Sequence, residues 1–217
     1  MPPWSTIETI MFDMDGTLLD LHFDNFFWLK MVPQCYAKIK GITNKEAITI
    51  INSKYRQVYG TLNWYCVDYW EKELQLNITK LKIEISHKIL VRPNALKLLS
   101  ELQLLNKKML LVTNAHPRDF EIKARHTGIS KFFYKCISSH QLNLAKENLG
   151  FWRELQKFAP YDAERTLLFD DSVEVLQQAQ REGVKYLYGI KQPDSHGPAL
   201  KNNEFPLIED FGHIMPS

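Results

Sequence analysis

The sequence predicts an α/β fold: a Rossmann-like doubly wound parallel sheet core, interrupted after its first strand by an inserted α-helical domain. Two observations carry this. Three β-forming runs, 7–12, 108–112 and 165–169, each end abruptly in polar residues, as strands buried on both faces do where they meet a loop. After Leu18-Leu19-Asp20, where another core strand is due, about 70 residues run with helical spacing and aromatic enrichment before Arg92-Pro93. The expected boundaries are 1–20 and 91–217 for the core and 21–90 for the insertion.

The first strand, Ile7-Glu8-Thr9-Ile10-Met11-Phe12, closes on Asp13-Met14-Asp15-Gly16-Thr17, so the two acids sit at the rim of a sheet. Pro93 fits the first turn of the returning helix 94–105, whose Leu96, Leu99 and Leu102 face one way. Strand 108–113 ends in Thr113-Asn114. Helix 117–127, a short strand near 134–137, helix 146–158 and strand 165–169 follow, the last ending in Asp170-Asp171. Helix 172–181 and a final strand over 185–189 complete the alternation, with Gly128 and Gly183 just past helices as C′ glycines. If the sheet is parallel, right-handed crossovers bring the polar strand ends to one side, at the crevice where strand order reverses. From Gln192 the chain is rich in Pro, Asn and Asp and is expected to wind over the surface.

The 217 residues are 45% apolar and 24% charged, which suits a globular chain with a full core and excludes disorder. A net charge of +2 with scattered basic residues gives no electrostatic case for nucleic acid. An acidic small-molecule substrate fits better. Cys35, Cys66 and Cys136 are odd in number and form no C-x-x-C, so reduced, buried thiols are expected rather than disulfides or zinc ligands, in a cytoplasmic setting. No basic-then-apolar leader opens the chain, and no apolar run approaches the roughly 18 residues of a membrane span. A monomer or weak homo-oligomer is expected.

Asp-x-Asp-Gly-Thr at 13–17 after the first strand, Thr113-Asn114 after the second, Lys146 before a later helix and Asp170-Asp171 after a fourth strand resemble the haloacid dehalogenase-like hydrolase superfamily. The resemblance spans nearly the whole chain and makes the insertion that superfamily's α-helical cap domain, which governs substrate choice. It implies Mg²⁺ as cofactor, with Asp13 binding the metal through its carboxylate and Asp15 through its backbone carbonyl. It further implies that Lys146 anchors the transferred phosphoryl group and neutralises Asp13. The segment 138–145 lacks the Gly-x-Pro-Lys turn often found before that lysine. More narrowly, the segments 21–28, 61–66 and 113–117 look like the bacterial GMP/IMP nucleotidase branch, a purine 5′-nucleotidase group.

The chemistry also follows from the residues. A phosphate monoester repels an attacking carboxylate, so a cation must lie between them and charge on the equatorial oxygens must be stabilised. Asp13 is the candidate nucleophile, forming an aspartyl-phosphate, and Asp15 the general acid and then base. Thr113 and Asn114 are read as phosphate ligands, although Thr113 is alternatively a helix N-cap. Asp171 is expected to bind the metal directly and Asp170 to support it, with Glu174 further out; the alternative is that both acids cap the helix from Ser172.

A nucleobase needs a flat apolar wall and a few polar partners. Trp28 and Trp64 are candidates for the wall, with Asp24, Asn25 and Asn63 as partners; packing within the cap competes as the role of the aromatics. His116, at the second strand tip, is placed near phosphate or ribose, and His22 at the cap hinge. The expected substrate is a purine nucleoside monophosphate. The alternatives are a sugar-phosphate phosphatase and a β-phosphoglucomutase-like phosphomutase, which retains both acids; a dehalogenase has no need of the second acid, Asp15.

Overall fold

The structure, a computed structural model, describes residues 1–201 and 204–216. Its strands are β1 (Thr9–Phe12), β2 (Lys108–Thr113), β3 (Lys135–Ser138), β4 (Thr166–Phe169), β5 (Tyr186–Ile190) and β6 (Leu207–Ile208). They pair in the order β3-β2-β1-β4-β5-β6, each neighbouring pair parallel. Every residue of β1 and β4 is buried, which is why these strands read as unbroken β-forming runs rather than alternating ones. The chain leaves β1 in one direction to β2 and β3, then returns to the other side of β1 for β4 to β6. That reversal puts the carboxyl end of β1 at the crevice between two sets of strands.

The insertion is helical: α1 (His22–Phe26), a π-helical turn at Phe27–Met31, α2 (Val32–Lys40), α3 (Asn44–Val58), α4 (Val67–Leu74) and α5 (Ile78–Glu84). Thr43 and Glu46 form a reciprocal capping box at the start of α3. Phe27, Val32, Ile51, Trp70 and Ile78 belong to a hydrophobic cluster of its own, apart from the two clusters that flank the sheet. The two connections to the core run side by side, since the Asp20 amide donates to the Leu90 carbonyl (2.9 Å) and the Arg92 amide to that of Leu18 (2.9 Å).

The core helices are α6 (Ala95–Leu104), α7 (Pro117–Thr127), α8 (Phe151–Phe158) and α9 (Val173–Arg181). Three expectations need correction. Helix α6 starts after Pro93, behind Asn94 in the left-handed region (φ 58°), and buries Ala95, Leu98, Leu99 and Leu102 while Leu96 is 40% exposed. Leu96 is out of phase with that stripe. Helix α8 begins at Phe151 rather than 146, because Asn148 and Gly150 (φ 93°) fold the preceding residues into a turn that holds Lys146. The tail does not stay on the surface: β6 extends the sheet beside β5, and Phe205, Ile208, Phe211 and Ile214 are buried. A two-residue strand is too short to show a period.

Candidate active site

Asp13 follows β1 directly, its amide donating to the Phe169 carbonyl (2.9 Å), so the first acid is fixed by the last rung of a sheet ladder. Lys146 reaches it from the turn before α8. Its buried Nζ donates to Asp13 Oδ1 (2.5 Å), Asp170 Oδ2 (2.7 Å) and the Val112 carbonyl (3.2 Å). Burial disfavours a charged lysine, yet the two carboxylates win and raise its pKa, so Lys146 stays cationic. Asn114 positions that lysine, accepting its backbone amide at Oδ1 (2.9 Å) and donating to Glu147 Oε2 (2.9 Å), while Tyr65 of the cap donates to Glu147 Oε1 (2.9 Å). The Thr113 hydroxyl accepts the Ala115 amide (3.0 Å), and the residue lines the same cavity.

Oxygens of Asp13, Asp170 and Asp171 lie within 4.8 Å of one another. Burial lifts the Asp170 carboxyl to about 7 and the Asp171 carboxyl well above its ordinary value, with the neighbouring acids adding to both. Three carboxylates against one lysine leave excess negative charge, and an all-oxygen donor set suits a hard divalent cation. The residues therefore fit a metal. Asp170 has its two oxygens engaged by Lys146 and by the Ser172 amide (3.0 Å), whereas Asp171 packs over Gly16. A Cβ on Gly16, whose φ is 83°, would stand 2.4 Å from Asp171 Oδ2, so glycine there serves both the backbone and the acid.

Asp15 sits in a second charge cluster. Its Oδ2 meets Lys123 Nζ (2.7 Å); Lys123 also holds Asp24 (2.7 Å) and Asp119 (3.1 Å), and Lys82 holds Asp24 (2.9 Å) and Asp119 (2.7 Å). Burial raises the Asp15 carboxyl to about 8 against the pull of Lys123, with Asp24, Asp119 and Asp13 adding to the rise. Burial thus favours the protonated form of Asp15. Its other oxygen, Oδ1, is buried without a hydrogen-bond partner among the described residues, and so is free to donate. Asp24 goes the other way: burial alone would push its carboxyl up, but Lys123 and Lys82 hold it far below the usual carboxylate range.

A cavity of about 470 Å³ joins these groups to the cap. Asp13, Asp15, Thr113, Asn114, Lys146, Asp170 and Asp171 line its core side, and Trp28, Tyr55, Tyr59, Trp64, Tyr65 and Trp70 its cap side. Trp28 and Trp64 also pack edge to face on Tyr55 (centroids 6.3 and 5.4 Å apart), so they are both wall and packing. Asp24 and Asn25 line the cavity as well, but Asp24 is held by two lysines and the Asn25 amide donates to Asp194 (2.7 Å).

Two expected ligands lie elsewhere. Asn63 sits in the short 3₁₀ turn Leu62–Tyr65 and, like His116, does not line the cavity. His116 caps α7, its Nδ1 accepting the Arg118 amide (3.3 Å), and stacks edge-on against His140. His22 lies at the hinge, bonded to Asp194 (3.2 Å). Lys82, Lys123 and Glu147 are site residues that sequence reasoning misses. A signal exists for Lys82, which falls four residues after Ile78 on the buried face of α5, where a lysine without partners is costly.

Paired acids at strand ends and a buried lysine thus meet in one cavity between the sheet and the helical insertion. Residues 10–188 match the haloacid dehalogenase-like hydrolase family. The chain is 36% identical over 214 residues to GMP/IMP nucleotidase YrfG of Escherichia coli (strain K12), covering 99% of this chain and 96% of that protein. It is 21% identical to a phosphorylated carbohydrates phosphatase of Thermotoga maritima, covering 89% of this chain and 90% of that protein. Among solved structures, a HAD phosphatase from Thermococcus onnurineus superposes with a TM-score of 0.80 at 18% identity, covering 96% of each chain. The chain therefore belongs to the haloacid dehalogenase-like hydrolases. Within that family it is a phosphatase.

Proposed function

We propose that this enzyme hydrolyses purine nucleoside 5′-monophosphates, with GMP and IMP as preferred substrates and Mg²⁺ as cofactor. The observation that carries the reading is the cavity: a charged floor at the strand ends faces an aromatic wall from the cap. Its volume of about 470 Å³ falls within the roughly 300–1,000 Å³ of small-molecule sites. The similarity to GMP/IMP nucleotidase YrfG over nearly the full chain supports the purine preference.

Asp13 and Asp171 would hold the cation, which supplies charge neutralisation to the incoming phosphate. An Asp13 carboxylate oxygen attacks phosphorus while the bond to the ribose 5′-oxygen breaks. Asp15 delivers its proton to that leaving oxygen. Lys146 holds Asp13 in line and offsets charge on the transferred group. Water then attacks the aspartyl-phosphate, Asp15 takes up one of its protons, and the Asp13–phosphorus bond breaks to release phosphate. The aromatic wall stacks the base, and the binding energy of this remote group favours cap closure, which excludes competing water.

Phosphate release with Mg²⁺ should show higher kcat/KM for GMP and IMP than for UMP, CMP or ribose 5-phosphate. AMP, with donor and acceptor reversed at the 6-position, should be disfavoured by about 1–3 kcal/mol. Trp64→Leu should erode the purine preference and spare a small aryl phosphate. Equal turnover of ribose 5-phosphate and IMP would replace this reading by a general sugar-phosphate phosphatase.

A further inference from the structure

We propose that Cys66, His116 and His140 form a second metal site, suited to a borderline-soft divalent ion such as Zn²⁺, and that an ion held there fastens the cap to the core. One ligating atom of each residue lies within 4.8 Å of those of the other two. The three come from separate segments: Cys66 is the N-cap of α4 in the cap, His116 the N-cap of α7, and His140 belongs to the 3₁₀ turn after β3.

A second observation points to a ligand. His140 Nε2 is buried with no hydrogen-bond partner among the described residues, an arrangement that is costly unless something binds there. The donors are one sulfur and two imidazoles, which select Zn²⁺ or Co²⁺ and not Mg²⁺. Donor atoms of a tetrahedral zinc site stand about 3.3–3.8 Å apart, so an ion would draw these groups together by no more than about 1.5 Å. Asp68 stands near the fourth position, its Oδ2 3.6 Å from His116 Nε2 and its Oδ1 paired with Arg118 Nη2.

The hydrogen bonds that an ion would disturb at Cys66 and His116 are weak. Cys66 Sγ accepts the Tyr69 amide at 3.5 Å, and His116 Nδ1 accepts the Arg118 amide at 3.3 Å, a bond that survives if Nε2 is the ligand. Binding releases one proton, from the Cys66 thiol, as the metal–sulfur bond forms. Tyr65, the neighbour of Cys66 in the chain, lines the active-site cavity and holds Glu147, so the fastened segment lies beside the space that substrate and product must use. An ion at this site therefore slows cap opening.

The test is a Co²⁺ titration of the reduced protein in saturating Mg²⁺, which occupies the oxygen site. The expected result is one equivalent of Co²⁺ with a sulfur-to-cobalt charge-transfer band and tetrahedral visible absorption, both displaced by Zn²⁺. Cys66→Ser should lose the charge-transfer band, and His140→Gln should bind at least about tenfold more weakly, with circular dichroism confirming the fold of each. A wild-type spectrum without the sulfur band, or a band that persists in Cys66→Ser, overturns the site. Stoichiometric Zn²⁺ should lower kcat on an aryl phosphate in the wild type and not in Cys66→Ser; equal inhibition of both overturns the fastening. The spectra need no turnover, so they stand or fall apart from the nucleotide preference.

Discussion

Replacing Asp24 by asparagine tests the charge count beneath the cap. Asp15, Asp24 and Asp119 share two buried lysines, Lys82 and Lys123, so full ionisation would leave one unmatched negative charge in a buried site. One acid must carry a proton. Burial lifts Asp15 to about 8 while Lys123 and Lys82 overcome burial to lower Asp24, which favours the proton on Asp15, where the proposed chemistry needs it. The Asp24→Asn variant removes one negative charge, and the two lysines then match Asp15 and Asp119 without a proton. The Asp15 and Asp24 oxygens each lie 2.7 Å from Lys123 Nζ and so are no more than about 5.4 Å apart. At an effective dielectric of about 20 their repulsion is about 3 kcal/mol, equivalent to about 2 pH units. Asp15 should then lose its proton near about pH 6 instead of about 8. The donating form exists below that pKa and is lost as pH rises through it. At pH 7 the protonated share falls from about nine tenths to about one tenth, so kcat/KM on a nucleotide should drop about tenfold, and wild type and variant should converge near about pH 5. An aryl phosphate, whose leaving group departs without a proton, should show little change. The assay is the pair of pH–rate profiles. An alkaline limb that stays at its wild-type position, or equal losses on both substrates, refutes the reasoning.

Asp13→Asn should abolish turnover while leaving the thermal midpoint within a few degrees, because the amide is nearly isosteric but a poor nucleophile; Mg²⁺-dependent hydrolysis by that variant would take Asp13 out of its role. Gly16→Ala places a methyl 2.4 Å from Asp171 Oδ2 at a φ of 83°, so Mg²⁺ affinity measured by calorimetry should fall with activity, and an unchanged titration would place the metal away from Asp171. Lys82→Met strands Asp24 and Asp119 with one lysine and should cost about 3–5 kcal/mol in urea unfolding. Because the Asp24 pKa is depressed, its stabilisation is present above the unfolded value of about 3.9 and is lost only as pH falls through the folded value, so the difference should hold between about pH 8 and 5. A loss under about 1 kcal/mol would show that the pair is solvated.

Strand ends are legible in the sequence because burial on both faces turns β1, β2 and β4 into apolar runs, and the polar residue that breaks each run is the one the site uses. Asp13, Thr113 and Asp170 follow that rule. Lys146 is legible as a residue but not in its setting, since the turn from 145 to 150 is fixed by an Asn148 side-chain bond and a left-handed Gly150 rather than by any period. The pairing of the polar residues in the cap is hidden for a related reason. Asp24 and Asn25 are polar at the right place, but Lys82, Lys123 and Asp194 engage them from 58, 99 and 169 residues away, and pattern in one segment cannot report such pairing.

The same distances explain why the acid and the cap belong to one device. Of the five groups in the buried cluster, Asp15 comes from the β1 loop, Asp119 and Lys123 from α7, Asp24 from the hinge helix and Lys82 from α5 of the cap. A cap that swings away takes Lys82 with it. Losing Lys82 by itself sharpens the repulsion among the acids left with Lys123, but water entering the gap relieves burial, the larger cause of the raised Asp15 pKa, and screens the remaining charges. Asp15 should therefore hold its proton more firmly with the cap down than with the cap open. On the proposed mechanism, a substrate that closes the cap should arm Asp15 as general acid by completing the burial around it, and a phosphate ester too small to reach the aromatic wall should leave Asp15 closer to an ordinary carboxylate, a difference that the pH–rate profiles of the two substrate classes would show.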